Sequence, residues 1–178
     1  LFDFHNIPCY NMVTNGEKNM PGKIIYDGLS LLDNKTPIIA VAINGNKSAP
    51  NTKTGDMLQT YILTRDIDPR VANKTGQDFG ICGDCPHRGT PSTDPKRTVA
   101  EDRLCYVFIG QGPLIVYKSF HNGNYPIASD QDIIDIGSNR PVRLGTYGDP
   151  AAVPRQVWDL LLTNATGHTG YSHQNNIK

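Results

Sequence analysis

The sequence has no excess of charge of either sign. Its 178 residues include 17 Lys and Arg residues and 17 Asp and Glu residues, so the formal net charge is zero. Proteins that bind polyanions or membrane surfaces over much of their own surface usually carry an excess of positive charge. The composition therefore predicts neither general nucleic-acid binding nor attachment to a membrane.

Long hydrophobic segments are also missing. The longest apolar run covers residues 37–43, whereas a membrane-spanning helix needs about 20 apolar residues. The sequence begins Leu-Phe-Asp-Phe-His-Asn, which includes neither a basic leader nor a long apolar stretch. We therefore expect a soluble protein without a signal peptide.

Cysteines are few. Four cysteines in 178 residues are far fewer than in the small secreted domains that depend on disulfides. We favour a reducing compartment, while two disulfides in a secreted protein stay open as an alternative. The length fits a single domain, since domains usually contain about 100–200 residues. With 17 Gly and 13 Pro residues, loops should occupy much of that domain.

Hydrophobic patterning predicts an α/β fold, either a partial barrel or a small mixed sheet with few helices. Residues 1–23 indicate an irregular arm, and prolines exclude regular structure from residues 80–102. The one strong helix begins near Pro154 and should end before Gly167. With strands at 141–147 and 168–173 it forms a predicted βαβ unit. The other predicted strands cover 23–27, 37–43, 57–63, 104–109 and 114–120, and a helical turn is predicted at 68–75.

The most specific motif is Cys82-Gly-Asp-Cys85, followed by Cys105 at the end of a loop over residues 80–105. Two thiols at this spacing can reach one ion, and Gly83 permits the tight turn between them. A redox dithiol should open a helix, but Pro86 follows at once. We therefore favour metal ligation over a disulfide or free structural thiols. A metal ion would also clamp a loop that buries little apolar surface.

The fourth ligand is open. Closed structural zinc sites have four nitrogen or sulfur donors, and His87, Cys9 or His121 could complete the set. His87 is nearest in sequence. Three cysteines could instead hold an iron–sulfur cluster with a vacant iron site, which would leave room for a small ligand. The expected cofactor is thus zinc or an iron–sulfur cluster.

Other residues are candidates for catalysis or ligand binding. Asp149 follows a predicted strand and precedes the strong helix, where α/β proteins place functional groups, although capping of a helix or turn is the more usual role of a short carboxylate at such a position. Tyr171 and His173 share one face of the last predicted strand, near Asp149 if the sheet is parallel. We predict that these three line a small-molecule or nucleotide pocket. The predicted anion contacts are Lys53, Arg88 and Arg143.

Several motifs together carry a resemblance that covers about residues 24 to 174. The motifs are Ile25-Tyr-Asp-Gly, Lys53-Thr-Gly-Asp-Met-Leu-Gln-Thr-Tyr-Ile, Ile81-Cys-Gly-Asp-Cys-Pro-His-Arg-Gly, Cys105-Tyr-Val, Gly110-Gln-Gly-Pro-Leu, Arg143-Leu-Gly-Thr-Tyr-Gly-Asp-Pro-Ala-Ala-Val-Pro and Thr169-Gly-Tyr-Ser-His-Gln. With these motifs the chain resembles a family of uncharacterised bacteriophage and prophage proteins, and more distantly mycobacteriophage gene-88-type proteins. The resemblance implies a phage-encoded protein of the host cytoplasm, and it supplies no activity.

Three functional hypotheses follow from these patterns. The leading one is a phage-encoded metal-binding protein whose centre adjoins a pocket for a small molecule or nucleotide. The second is a binding or host-takeover module without enzymatic activity, in which zinc only fixes the cysteine loop. The third is a secreted disulfide-bonded protein. An open metal site beside a polar cleft favours the first hypothesis, and a closed tetrahedral site favours the second.

Overall fold

The computed structural model describes residues 22–43 and 55–174. Cys9 and Lys53 lie outside these ranges, as does the predicted arm apart from its last two residues, which begin the first strand. The described residues form one five-stranded sheet and five α-helices. In chain order the elements are β1 (Gly22–Leu29), β2 (Pro37–Ile43), β3 (Leu58–Thr64), α1 (Pro69–Thr75), α2 (Phe79–Cys82), α3 (Gly112–His121), α4 (Asp130–Gly137), β4 (Pro141–Tyr147), a 3₁₀ turn (Pro150–Ala152), α5 (Arg155–Leu162) and β5 (Gly167–Gly170).

The sheet is mixed, and its strands follow one another in chain order from β1 to β5. The first three strands pair antiparallel, while β3, β4 and β5 pair parallel. In the part of the chain described, β1 and β5 are the two edges, so the sheet is open. This confirms the predicted α/β class in its form as a small mixed sheet.

The β2 strand is the centre of the core. Ile38, Ile39, Ala40, Val41 and Ala42 are all fully buried, because the strand has a neighbour on each side and is covered on both faces. A strand buried on both faces shows a continuous apolar run rather than an alternating one. The prediction of a buried strand at residues 37–43 is therefore confirmed.

Two helical predictions are also confirmed. The side chain of Asp68 caps α1 by accepting from the amide of Arg70, and Gly76 ends that helix with a positive φ of 78°. Such an acidic N-cap and left-handed glycine are common helix boundaries. Helix α5 begins directly after Pro154 and buries Trp158 and Leu161. It connects the parallel strands β4 and β5, as the predicted βαβ unit requires.

The structure corrects four local predictions. Residues 114–120, predicted as a strand, belong to α3, and residues 104–109 form no strand. The last strand, predicted over 168–173, ends at Gly170, so Tyr171 and His173 lie after it and do not share one of its faces. Pro113 lies in the first turn of α3, a position that helices tolerate well because the missing amide would have no partner there. The Leu114-Ile-Val116 run suggested a strand because a short apolar run does not distinguish the two structures. Gly167 begins β5 and does not end α5.

Two helices were not predicted. Helix α2 occupies residues 79–82, at the start of the segment from which prolines were expected to exclude regular structure. Helix α4 begins with a capping box in which Ser129 and Asp132 exchange hydrogen bonds between side chain and backbone, which is a recognisable start signal. Within residues 22–43 and 55–174, none of the helices combines the length and apolar character needed to cross a membrane.

Candidate metal-binding cavity

A cavity of about 340 Å³ lies between the cysteine loop and the end of β4. Its wall combines residues from four separate parts of the chain: the region from α1 through α2 to the loop that follows, the segment before α3, the end of β4 with the turn after it, and the segment after β5. It therefore brings together residues that are far apart in sequence. The lining side chains that matter for metal chemistry are Cys82, Cys85, His87, Cys105, Tyr147 and His173.

The Cys-x-x-Cys motif forms a tight turn at the end of α2. Cys82 is the last residue of the helix, and Gly83 reverses the backbone with a positive φ of 52°. The amide of Cys85 donates to the carbonyl of Cys82 over 3.1 Å. A side chain at position 83 would also collide with Gln174. Both the positive φ and the close approach of Gln174 therefore favour glycine at position 83.

His87 connects the third cysteine to this motif. Its carbonyl accepts hydrogen bonds from the amides of Leu104, at 3.1 Å, and Cys105, at 2.9 Å. The backbone amide of His87 also acts to lower the pKa of the Cys85 thiol, although burial has the larger and opposite effect. The His87 carbonyl therefore links the segment of Cys105 to the Cys-x-x-Cys motif.

Cys82, Cys85 and Cys105 are free thiols. Burial raises the pKa of the Cys82 thiol well above its ordinary value, and nearby Asp78 adds to this effect. Burial also raises the pKa of Cys85, against the opposing effect of the His87 amide. Both thiols are therefore protonated at neutral pH in the metal-free protein.

The ligands do not form a finished coordination site. Within the ranges that the structure describes, no group of three or more His, Cys, Asp and Glu side chains is placed so that it could hold a metal ion. Binding an ion would require cavity-lining side chains to rotate toward one another. Metal binding commonly orders ligands in this way, because the ion supplies the free energy that holds them together.

Two imidazoles face each other at the cavity wall. The rings of His87 and His173 meet edge to face, with their centroids 5.3 Å apart. His173 was predicted only as a catalytic group, so its position beside His87 makes it a second candidate nitrogen ligand. His121 is not among the residues that line this cavity. Its Nε2 lies 3.0 Å from the carbonyl oxygen of Arg65.

Asp149 is buried, and its carboxylate already has three hydrogen-bond donors. One oxygen accepts from the amide of Ala151, and the other accepts from the amide of His173 and the side chain of Gln174, each at 2.9 Å. These contacts cap the 3₁₀ turn and fix the segment after β5. The expected proximity of Asp149 and His173 is thus present, and the contacts match the capping role. Catalysis by Asp149, His173 and the exposed Tyr171 stays a prediction.

The two described arginines that were predicted to bind anions have partners within the protein. Arg88 forms an ion pair with Asp78, with an Nη2 to Oδ1 distance of 2.5 Å, and also donates to the carbonyl of Gly76. Arg143 donates to the hydroxyl of Tyr106 over 2.7 Å. Arg88 therefore acts within the cysteine loop, and anion binding by either arginine stays a prediction.

A buried polar network fastens the cysteine loop. Asn73 donates to Asp78 over 2.7 Å and to the carbonyl of Arg88 over 2.9 Å, and it accepts from the amide of Ala100 over 3.0 Å. Only 2% of Asn73 and 1% of Asp78 are exposed. Polar groups this buried need such partners. These hydrogen bonds hold the loop in place without a metal ion, which was not predicted from the sequence.

Tyr147 is the other feature that sequence reasoning missed. It ends β4 and lines the cavity, with only 3% of its surface exposed. Its hydroxyl is buried without a hydrogen-bond partner among the described residues. Burial raises the pKa of Tyr147 well above its ordinary value, and nearby Cys82 adds to this. The hydroxyl is therefore a protonated donor beside the thiols.

Comparison with known proteins finds no matching family model, no matching curated protein and no matching solved structure. The resemblance to bacteriophage proteins therefore stays a prediction.

Proposed function

We propose that the protein binds a single metal centre, zinc or an iron–sulfur cluster, through Cys82, Cys85 and Cys105. The observation that carries this proposal is that all three thiols line one cavity although 19 residues separate the second from the third along the chain. Thiolates are soft ligands that suit zinc and iron–sulfur clusters. The three free thiols are thus a coherent donor set.

The backbone around the motif supports this assignment. The His87 carbonyl accepts a hydrogen bond from the amide of Cys105, which brings the third cysteine to the motif. The His87 amide acts to lower the pKa of the Cys85 thiol, against the larger effect of burial, and so favours the thiolate form that binds metals.

His87 and His173 are the proposed nitrogen ligands. Either imidazole would complete a tetrahedral zinc site with three sulfurs and one nitrogen. If the centre is an iron–sulfur cluster, three cysteines leave one iron free to bind a small molecule. The second arrangement would connect the centre directly to the cavity and to Tyr171 at its rim.

The polar network of Asn73, Asp78 and Arg88 favours a functional centre over a metal that only fixes the loop. Because this network already fastens residues 78–100, an ion is not the loop's only support. The cavity beside the thiols has room for a small molecule or a nucleotide fragment. We therefore place a binding or catalytic role above the purely structural one.

We further propose that the protein is phage-encoded and acts in the host cytoplasm. The support is the resemblance of its Cys82-Gly-Asp-Cys-Pro-His-Arg and Tyr147-Gly-Asp-Pro blocks to bacteriophage proteins. The three free thiols agree with a reducing compartment, in which cysteines stay available as metal ligands.

Elemental analysis and a visible spectrum of anaerobically purified protein test the proposal. Broad visible absorption with iron and sulfide would identify a cluster, and colourless protein with one equivalent of zinc would identify a zinc site. Cys85→Ser and Cys105→Ser should each bind the metal more weakly and retain less of it through purification, whereas His121→Gln, which alters a histidine that does not line the cavity, should retain it as the wild type does. Metal-free protein with disulfides in non-reducing mass spectrometry would support the secreted alternative and overturn the proposal.

A further inference from the structure

Three large apolar side chains that line the cavity are mostly exposed to solvent. They are Leu104, Tyr106 and Tyr171, whose exposed fractions are 77%, 73% and 68%. Leu104 and Tyr106 belong to the segment before α3, whereas Tyr171 belongs to the segment after β5. Apolar side chains that gather at one concave site usually mark a place where a ligand binds. The volume of about 340 Å³ suits a small molecule.

Directional contacts hold the exposed ring of Tyr106. Its hydroxyl accepts a hydrogen bond from Nη2 of Arg143 over 2.7 Å. On either side of it along the chain, the Arg103 guanidinium donates to the carbonyls of Cys105, over 3.0 Å, and Val107, over 2.7 Å. A ring that is fixed before binding loses little conformational entropy when a ligand packs against it. Tyr106 is therefore preorganised as a contact surface.

The segment that carries Tyr171 is also fixed by hydrogen bonds. The amide of His173 donates to the carboxylate of Asp149 over 2.9 Å. The side-chain amide of Gln174 donates to the same carboxylate over 2.9 Å and to the carbonyl of Cys82 over 3.0 Å. Two separately anchored segments thus bring tyrosine side chains to the wall of one cavity.

The cationic side chains of the cavity wall are already engaged within the protein. Arg88 is held by Asp78 and by the carbonyl of Gly76, and Arg103 is held by two backbone carbonyls. Among the described residues, no lysine lines the cavity. The buried carboxylate of Asp149 in the same wall would repel an anion. An anionic ligand would therefore lack a cationic partner here, whereas an uncharged ligand needs none.

We propose that the cavity binds an uncharged nitrogen heterocycle, of the kind found in nucleobases, with its ring packed against Tyr106 and Tyr171. This inference rests on the proposed function, which gives the cavity a binding role. Aromatic side chains stack well on such rings, because every base has a π-face. The His87 and His173 imidazoles at the cavity wall each offer one donor and one acceptor when neutral. They match the polar edge of a heterocycle, and one stays available if the other binds the metal.

Titration with nucleosides and with their 5′-monophosphates tests the proposal, because the members of each pair share the ring and differ in the phosphate. Adenosine, guanosine, cytidine and uridine, each with its monophosphate, would be added to the isotope-labelled full-length protein at neutral pH and followed by NMR. We expect at least one nucleoside to bind and to shift the signals of Tyr106 and Tyr171. Its monophosphate should bind about tenfold more weakly or worse, since its charge would lie near the cavity without a partner.

Variants of the two tyrosines locate the bound ring. Tyr106→Ala and Tyr171→Ala should each weaken binding of that nucleoside about tenfold, because a stacking contact is lost. Both side chains are largely exposed, so the variants should keep the fold, which circular dichroism would check. Tyr106→Phe keeps the ring and should weaken binding less. Ile127→Ala is the matched control, because it removes an apolar side chain that is 76% exposed and does not line the cavity.

The outcomes separate this inference from the proposed metal centre. The inference would be overturned if none of the nucleosides bound at millimolar concentration, if neither alanine variant weakened binding, or if a monophosphate bound as tightly as its nucleoside. Each of these results would leave the metal centre intact in a protein that takes up metal. A protein that binds a nucleoside at the two tyrosines but takes up neither zinc nor an iron–sulfur cluster would overturn the metal centre and retain the heterocycle site.

Discussion

The central strand and the cysteine loop are held in place by different interactions. β2 contributes five consecutive fully buried apolar residues to the core, and their many small contacts share the stabilisation among neighbours. The loop after α2 depends on a few directional contacts to Asp78, a carboxylate that is 1% exposed. A modest side-chain change at one position in the sheet should therefore cost little stability. Loss of one hydrogen-bonding side chain in the loop should cost much more.

The largest expected effect is that of Asp78→Ala on the loop. The change removes the carboxylate that pairs with the Arg88 guanidinium and leaves that guanidinium and the Asn73 amide with only backbone carbonyls as acceptors. Breaking a buried ion pair in this way costs about 3–5 kcal/mol. The value should lie near the lower end because 18% of the Arg88 side chain is exposed. Urea denaturation monitored by circular dichroism would measure the free energy of unfolding.

Asp159→Ala is the matched control for that experiment. Asp159 pairs with Arg155 one helical turn away, and their side chains are 63% and 90% exposed. An exposed pair of this kind contributes about 0.5 kcal/mol or less. Equal losses of stability in the two variants would contradict the conclusion that the contacts of Asp78 hold the loop in place.

The second-largest effect is expected in the pH dependence of the apparent zinc affinity. Burial raises the pKa of Cys82 and of Cys85, so both thiols carry protons at neutral pH and must release them when zinc binds. Lower pH favours the protonated, metal-free state. Apparent zinc affinity should therefore rise with pH by up to about tenfold per pH unit for each thiol that releases a proton. Calorimetric titrations in buffers of different ionisation enthalpy would count the released protons, and a pH-independent affinity would contradict this account.

The smallest effect is expected in the sheet. Ile39→Val removes one methylene group from a fully buried position in β2, and such changes typically cost about 0.5–1.5 kcal/mol. The same denaturation experiment would measure it. A loss as large as that of Asp78→Ala would remove the contrast between the two regions.

This contrast also explains which parts of the fold the sequence could predict. β2 was predictable because a strand that is buried on both faces shows a continuous apolar run. Helix α1 was predictable because Asp68 and Gly76 mark its ends. The connection between β4 and β5 was predictable from the order strand, helix, strand over residues 141–173, with Pro154 near the start of the helix. Helix α3 was missed because its Leu114-Ile-Val116 run fits a strand equally well.

The candidate site was predictable only in part. The Cys82-x-x-Cys85 spacing predicted two of the proposed sulfur ligands. The expected proximity of His173 to Asp149 is present, although His173 lies in the segment after β5. The role of the His87 carbonyl in placing Cys105 depends on a backbone contact between distant segments, which no local pattern encodes. The same is true of the unpaired hydroxyl of Tyr147.

X-ray absorption spectroscopy of the zinc-bound full-length chain tests the central claim most directly. If Cys82, Cys85 and Cys105 converge on one ion, the first shell should contain three sulfur atoms at about 2.3 Å and one nitrogen at about 2.0–2.1 Å. Cys105→Ser should replace one of the three sulfurs by a lighter atom. A first shell of oxygen and nitrogen alone, or one unchanged in Cys105→Ser, would contradict the account.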